Sequence, residues 1–281
     1  MAQGPARVNR YLRPEPAMPS YEPVVALQRG LEVLCAVNRL KAASVREIHQ
    51  LTGVNQPTVV RMLETLIHGG FVIRDPEQRL YMPTGRTLEL SAGYVLHREV
   101  GIAATPVMTA LRARVGWPSD VAVFDGDAMV VAHTSRGEGR FLFERRPGFR
   151  APILATSLGR AFLAFCAPAE RERALALAAR SPDPWNGLAR DPAAAAALFA
   201  EIRRQGFASM DEAYSARDYG GLASALGVPV LVEGVAVAAL NLMYLRDAIE
   251  YPAAVERLLP RLQQAAGELG VIFAGLWRRA R

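Results

Sequence analysis

The 281-residue chain is 51% hydrophobic and 21% charged, long enough for two domains, each with its own core. Its net charge of +6 and pI near 9.7 suit a nucleic-acid partner without demanding one, because Lys41 is the only lysine and arginine is favoured throughout. The two cysteines, Cys35 and Cys166, are far apart in apolar helical stretches and read as packed thiols, which argues against a disulfide framework or a zinc site. The most apolar tract, residues 226–245, is broken by Pro229, Glu233 and Gly234 and reads as a strand pair; with no N-terminal apolar stretch, a cytoplasmic protein is expected.

Residues 1–22 carry Pro5, Pro14, Pro16 and Pro19 with Arg7, Arg10 and Arg13, and read as a flexible tail. Val25–Leu40 reads as an amphipathic helix with Leu27, Leu31, Leu34, Cys35 and Val37 on its apolar face. Residues 44–83 then read as helix, tight turn, second helix and a two-stranded wing. Ser44 stands at an N-cap position, Gly53 supplies the turn, and Asn55 caps the next helix with Pro57 in its first turn. The second helix is expected to bury Val59, Met62, Leu63, Leu66 and Ile67, with Gln56, Thr58 and Arg61 outward. Gly69 and Gly70 stop it, and residues 75–78 form a turn between strands at 71–74 and 80–82. A helix-turn-helix with a wing, over residues 23–83, is a DNA-reading shape.

Residues 84–98 read as a linker helix made flexible by Gly85, Gly93 and Gly101, and residues 98–115 as a helix broken by Pro106. The remainder, 99–281, reads as an α+β sensor-like domain with an antiparallel sheet. Strands are expected at 120–125 and 128–134 about a Gly126-Asp127 turn, at 140–144, and at 222–232 and 234–245. Helices are expected at 152–167, 169–179, Pro192–Gln205 and Tyr251–Arg279.

The candidate site residues follow from donor and acceptor chemistry. Gln56 suits a bidentate pair with an adenine edge and Arg61 a guanine or a phosphate, whereas Ser44 and Thr58 suit phosphate oxygens. Arg74 and Arg79 flank the wing turn and would touch backbone or minor groove. In the second half, Ala155, Thr156, Ser157 and Leu158 open an apolar helix whose free N–H groups and dipole suit a carboxylate; Thr156 serves equally as a plain cap. Trp117 and Phe143 could stack on an aromatic ring or simply fill core. Arg145 and Arg146 could pair with an acid, but they precede a loop and are expected to be exposed.

The chain resembles the IclR family of bacterial transcriptional regulators over nearly its full length. The likeness is carried by the winged helix-turn-helix at 44–83, by PILATSLGRAFLA at 152–164, and by Gly206-Phe207 followed by residues 221–230 and 238–244. Within that family it is similar to activators of phenolic-acid catabolism, through Trp117-Pro118-Ser119-Asp120-Val121, residues 127–131, Leu163-Ala164-Phe165-Cys166 and Leu240-Asn241-Leu242. The resemblance implies that 99–281 is a GAF-like effector-binding and oligomerisation domain, with homodimers or tetramers on palindromic double-stranded DNA, and a small organic acid, here an aromatic one, as effector. It adds Met210, Asp211, Ser224, Asn241 and Met243 as pocket positions, and for an activator RNA polymerase as a further partner. Asn241 would meet a ring hydroxyl or stand as a satisfied buried amide.

No cofactor, metal site or catalytic residue is expected. His49, His68, His97 and His133 form no metal spacing, no nucleophile elbow, phosphate loop or dinucleotide fingerprint occurs, and Asp120, Asp125 and Asp127 read as hairpin-turn aspartates. Three other readings stand beside the activator: an enzyme, a repressor answering a non-aromatic acid, and a ligand-independent DNA-binding protein.

Overall fold

A computed structural model describes residues 21–136 and 145–279, so Phe143, the strand expected at 140–144 and nearly all of the 1–22 tail lie outside the described residues. Two compact units divide near Val95 and Leu96.

The first unit contains α1 (Val25–Leu40), α2 (Val45–Thr52), α3 (Gln56–His68) and the two-stranded wing of β1 (Val72–Arg74) and β2 (Tyr81–Pro83). Ser44 begins α2 with a full capping box: its hydroxyl accepts from the Glu47 N–H, and the Glu47 carboxylate accepts from the Ser44 N–H at 2.8 Å. Gly53 ends the helix at φ 70°, a left-handed turn that glycine adopts without steric cost. Asn55 then caps α3 by accepting from Thr58 N at 3.0 Å. Val33, Leu34 and Val37 of α1 meet Ile48, Val59, Leu63, Val72 and Tyr81 in one core, and Ala43 pairs with Tyr81 to tie α2 to the wing.

Three sequence expectations are corrected here. The buried stripe of α1 is Val33, Leu34, Ala36 and Val37, whereas Leu27, Leu31 and Cys35 are exposed, because only that stripe meets α2 and α3. Ile67 likewise turns outward at the end of α3. A single linker helix over 84–98 is also not found. Gly85–Ser91 is a 3₁₀ segment strapped to the end of α3, with Thr84 Oγ1 donating to Gly70 O and Arg86 Nη1 to Gly69 O, both at 2.6 Å. These two side chains satisfy carbonyls left open at the end of α3 and so stop the chain from leaving as a continuous helix.

In the second unit α4 (Val95–Val115) continues through Pro106, which had been expected to break it. The carbonyl deprived of its donor belongs to Ile102, whose exposed position leaves that oxygen to water. Gly101 is a contact rather than a hinge: a Cβ there would lie 2.5 Å from the Ala132 carbonyl oxygen. The sheet is built from β3 (Ser119–Asp125), β4 (Ala128–Thr134), β5 (Arg150–Pro152), β6 (Ala208–Ser209), β7 (Ala223–Val232) and β8 (Val235–Leu245). It is antiparallel throughout in the order β5-β4-β3-β8-β7-β6. Among these strands fall α5 (Ser157–Phe165), α6 (Pro168–Ala178), α7 (Pro192–Gln205) and α8 (Glu212–Tyr219), and α9 (Tyr251–Arg279) closes the chain.

Leu158, Phe162 and Leu163 of α5 pack with Met129, Val131, Ile153, Phe199 and Ile202 as the core beneath the sheet. The fit is close at the start of α5. A Cβ on Gly227 would sit 2.3 Å from Ser157 O, and one on Gly159 would sit 2.0 Å from Ile153 O. The architecture is a helix-turn-helix unit followed by an α+β unit with an antiparallel sheet.

Candidate functional site

In the first unit α3 leaves Gln56, in its first turn, and Arg61, about 140° further round the helix, both exposed to solvent, and Thr58 lies half-buried with its N–H held by Asn55. Glu64 and His68 extend the exposed face of Arg61 by one and two turns and were not singled out from the sequence as DNA contacts. Ser44 is committed to its capping box, with the Glu47 carboxylate 2.7 Å from its hydroxyl, which sets a negative group where a phosphate would approach. The Ser44 bonds hold the Glu47 carboxyl below the usual carboxylate range. In the wing, Asp75 accepts from Glu77 N and Gln78 N to close the turn. Arg79 adopts φ 56° there, and Arg74 lies over the Tyr81 ring at 5.7 Å; both guanidinium-bearing residues are exposed.

In the second unit the structure brings together Ala155, Met210 and Met243 of the candidate set, with Trp185, Tyr214, Tyr219, Ala223 and Ala225. Trp185 meets Tyr214 edge-on at 5.1 Å, and Tyr214 meets Tyr219 at 5.7 Å. Small residues on β7 and at the start of α5 thus face a row of three aromatic rings. Burial, with Tyr219 beside it, pushes the Tyr214 hydroxyl well above the usual phenol range, so it stays protonated. The Trp185 Nε1–H is buried with no hydrogen-bond partner.

The strand register sorts the remaining candidates. Met243 pairs with Ala225, and the next pair, Tyr244 with Ser224, points to the other face of the sheet. Ser224 therefore faces away from Met243, and Trp117 meets the Tyr244 ring at 6.5 Å. Asn241 shares the Met243 face, and its Oδ1 accepts from Asp120 N at 2.9 Å. Thr156 caps α5 by accepting from Gly159 N and donating to Pro152 O, and Leu158 belongs to the core beneath the sheet. Ser157 is buried with its hydroxyl unpartnered. Asp211 caps α8 and pairs with Arg160 at 2.5 Å. Phe143 lies outside the described residues.

Asp120 and Arg145 overturn two expectations. Asp120 is not a turn aspartate but sits fully buried inside β3, and Arg145, expected to be exposed, is 5% exposed. The Asp120 carboxylate is clasped by Arg136, through Nε at 3.3 Å and Nη2 at 3.1 Å, and is also reached by Arg145 Nη1 at 3.4 Å. Arg145 Nη2 donates to Tyr219 OH at 2.5 Å, its guanidinium lies over the Phe149 and Tyr219 rings, and its Nε has no partner. Burial opposes ionisation of Asp120, but Arg136 and Arg145 outweigh it and hold the carboxyl below its usual range. Burial also opposes the charge on Arg145, yet Tyr219 and Asp120 hold its pKa above the ordinary arginine value. One sequence signal for this network was available, a carboxylate within the apolar strand that follows Trp117-Pro118-Ser119.

The comparisons with known proteins fall on the same two units. Residues 26–76 match the IclR helix-turn-helix domain, and residues 92–270 match the C-terminal domain of the bacterial transcriptional regulator IclR. The chain belongs to the IclR family. Its members are transcriptional regulators rather than enzymes. The regulator XynR of Escherichia coli is 26% identical over 52% of this chain and 59% of its own length. TsaQ1/TsaQ2 of Comamonas testosteroni is 28% identical over 58% of this chain and 59% of its own. The match thus spans about three-fifths of each of these curated relatives. Among solved structures, an IclR homologue from Microbacterium hydrocarbonoxydans complexed with 4-hydroxybenzoate shares the fold at a TM-score of 0.62. It is 21% identical and covers 88% of this chain and 98% of that one. No helix among the described residues of this IclR-family chain is long and apolar enough to cross a membrane.

Proposed function

We propose that this IclR-family protein is a ligand-responsive DNA-binding transcriptional regulator that activates an aromatic-acid catabolic operon, with a small aromatic carboxylate as its effector. The observation that carries the reading is the row of Trp185, Tyr214 and Tyr219 facing Ala155, Ala225 and Met243, with the buried indole N–H unpartnered. Such a lining favours a flat ring bearing polar groups over an aliphatic ligand. The 4-hydroxybenzoate complex of the Microbacterium homologue supports the same ligand class. Ala155, just before α5, belongs to this lining, and the N-terminus of α5 contributes its dipole to an acid bound there.

The DNA partner is a palindromic double-stranded operator read by α3 through Gln56, Thr58 and Arg61, with Arg74 and Arg79 of the wing on the backbone or minor groove. A second copy of the chain supplies the second half-site reader, as a dimer or a dimer of dimers. The exposed Leu27 and Leu31 on α1 are apolar surface suited to that contact. The effector shifts the population between arrangements of the paired readers and so changes operator affinity; activation then proceeds through RNA polymerase on cytoplasmic DNA.

The test joins two measurements on the intact protein. Calorimetry with benzoate, 4-hydroxybenzoate and 3-hydroxyphenylpropionate should show binding without turnover, and a reporter carrying an operator selected from random DNA should rise with the acid that binds. No heat with any acid favours a ligand-independent DNA-binding protein, and a reporter that falls identifies a repressor.

A further inference from the structure

The Asp120 cluster carries an inference that rests on the effector reading and makes it specific. Asp120 has two guanidiniums at its carboxylate, but they are not equivalent. Arg136 takes both carboxylate oxygens, whereas Arg145 makes a single contact at 3.4 Å. Among the described residues Asp120 is the one carboxylate within reach of Arg145, and it is already clasped by Arg136. Arg145 is nonetheless almost completely buried, where an incompletely balanced charge is costly. Its Nε–H has no acceptor among the described residues, and its Nη2 is tied to Tyr219, a member of the aromatic row. The Trp185 Nε1–H, in that same row, is a second buried donor without an acceptor.

We propose that Arg145 is the acid-recognising group of the effector site, held under-neutralised beside Asp120 so that the carboxylate of a planar aromatic monoacid completes its charge balance and accepts its free N–H. Tyr219 serves this role twice, by fixing the guanidinium through its hydroxyl and by offering its ring to the ligand. Arg136 keeps Asp120 paired whether or not a ligand is present. The site therefore distinguishes an acid from its neutral amide through Arg145, and an aromatic ring from an aliphatic chain through the tyrosines and Trp185. A guanidinium fork suits this task better than an ammonium because it holds a carboxylate and the Tyr219 oxygen in fixed directions at once.

The test is calorimetry on the full chain with 4-hydroxybenzoate and with 4-hydroxybenzamide, comparing wild type, Arg145→Gln and Arg145→Lys. Wild type should bind the acid and discriminate against the amide. Arg145→Gln should bind the acid roughly 10- to 150-fold more weakly, the range expected for losing a hydrogen bond to a charged group, and should treat acid and amide alike. Arg145→Lys should fall between the two. If Arg145→Gln fails to give the wild-type circular dichroism spectrum, Arg145→Lys decides: reduced discrimination supports the role, and unchanged discrimination overturns it. Wild type that binds the acid beside an Arg145→Gln that binds it equally well overturns this assignment and leaves the effector reading intact. Wild type that binds neither benzoate, 4-hydroxybenzoate nor 3-hydroxyphenylpropionate overturns both.

Discussion

Asp120 Oδ2 lies 3.1 Å from Arg136 Nη2 and 3.4 Å from Arg145 Nη1, so one fully buried carboxylate joins two segments of the sheet unit. Replacing it by asparagine removes the carboxylate that the two guanidiniums share. Asp120→Asn should cost about 3–5 kcal/mol of stability, the usual penalty for breaking a buried pair from one side. Urea unfolding of the two proteins measures this directly.

The same carboxyl sets an acid dependence. Its folded-state pKa is depressed below the ordinary aspartate value, so its stabilising contribution is complete above about pH 4–5 and is lost as pH falls through the folded value. The stability gap between wild type and Asp120→Asn should be flat from about pH 7 to about pH 5 and close below about pH 4. Thermal melts across that range read the gap, and one that widens toward acid would contradict the assignment.

Ser44 and Arg61 should separate cleanly in mutation. Ser44→Ala removes a capping box and should cost about 0.5–2 kcal/mol of stability, with little change in DNA affinity once the folded fraction is accounted for. Arg61→Ala should leave stability within about 0.5 kcal/mol, because the side chain is exposed. It should weaken operator binding by about 1–3 kcal/mol if it reads a base. Fluorescence anisotropy on selected operator DNA distinguishes the two.

The cysteines should react unequally. Cys166 is buried, and desolvation with Glu170 nearby pushes its thiol up to about 12, whereas Cys35 is exposed. Native protein should release colour from a single thiol with a disulfide reagent and from both after denaturation. Rapid labelling of Cys166 in native protein would overturn its placement.

Much of the fold was legible because the sequence marks its element ends. Pro192–Gln205 was read to the residue: Asp191 caps it, Pro192 opens it, and Gly206 closes it at φ 81°. The helix-turn-helix was readable for the same reason, through Ser44, Gly53 and Asn55. α8 was missed because EAYSARDY carries no apolar stripe, and its tyrosines show their purpose only once β7 and β8 lie beneath them. α1 was rotated in the reading because Leu27, Leu31 and Cys35 repeat as regularly as the stripe that is buried, and periodicity alone does not say which one meets a neighbour.

The candidate site was legible only in part. That Asn241 and Met243 share a face is readable without the structure, since they stand two apart on one strand. Ser224 was grouped with them, but its face depends on a cross-strand register that pairs it with Tyr244, and no local signal fixes that pairing. Asp120 was taken for a turn residue because Asp125 and Asp127 at the actual turn stand close to it in the chain. Its partners Arg136 and Arg145 lie 16 and 25 residues away.

The most direct test of the central claim is operator affinity with and without the acid that calorimetry identifies. Intact protein and selected operator DNA are titrated by fluorescence anisotropy at fixed salt, first alone and then with the acid at saturation. The account predicts a change in affinity of roughly 5- to 150-fold, the span of a coupling of about 1–3 kcal/mol. Identical affinity in the two titrations, with the acid shown to be bound, would contradict it.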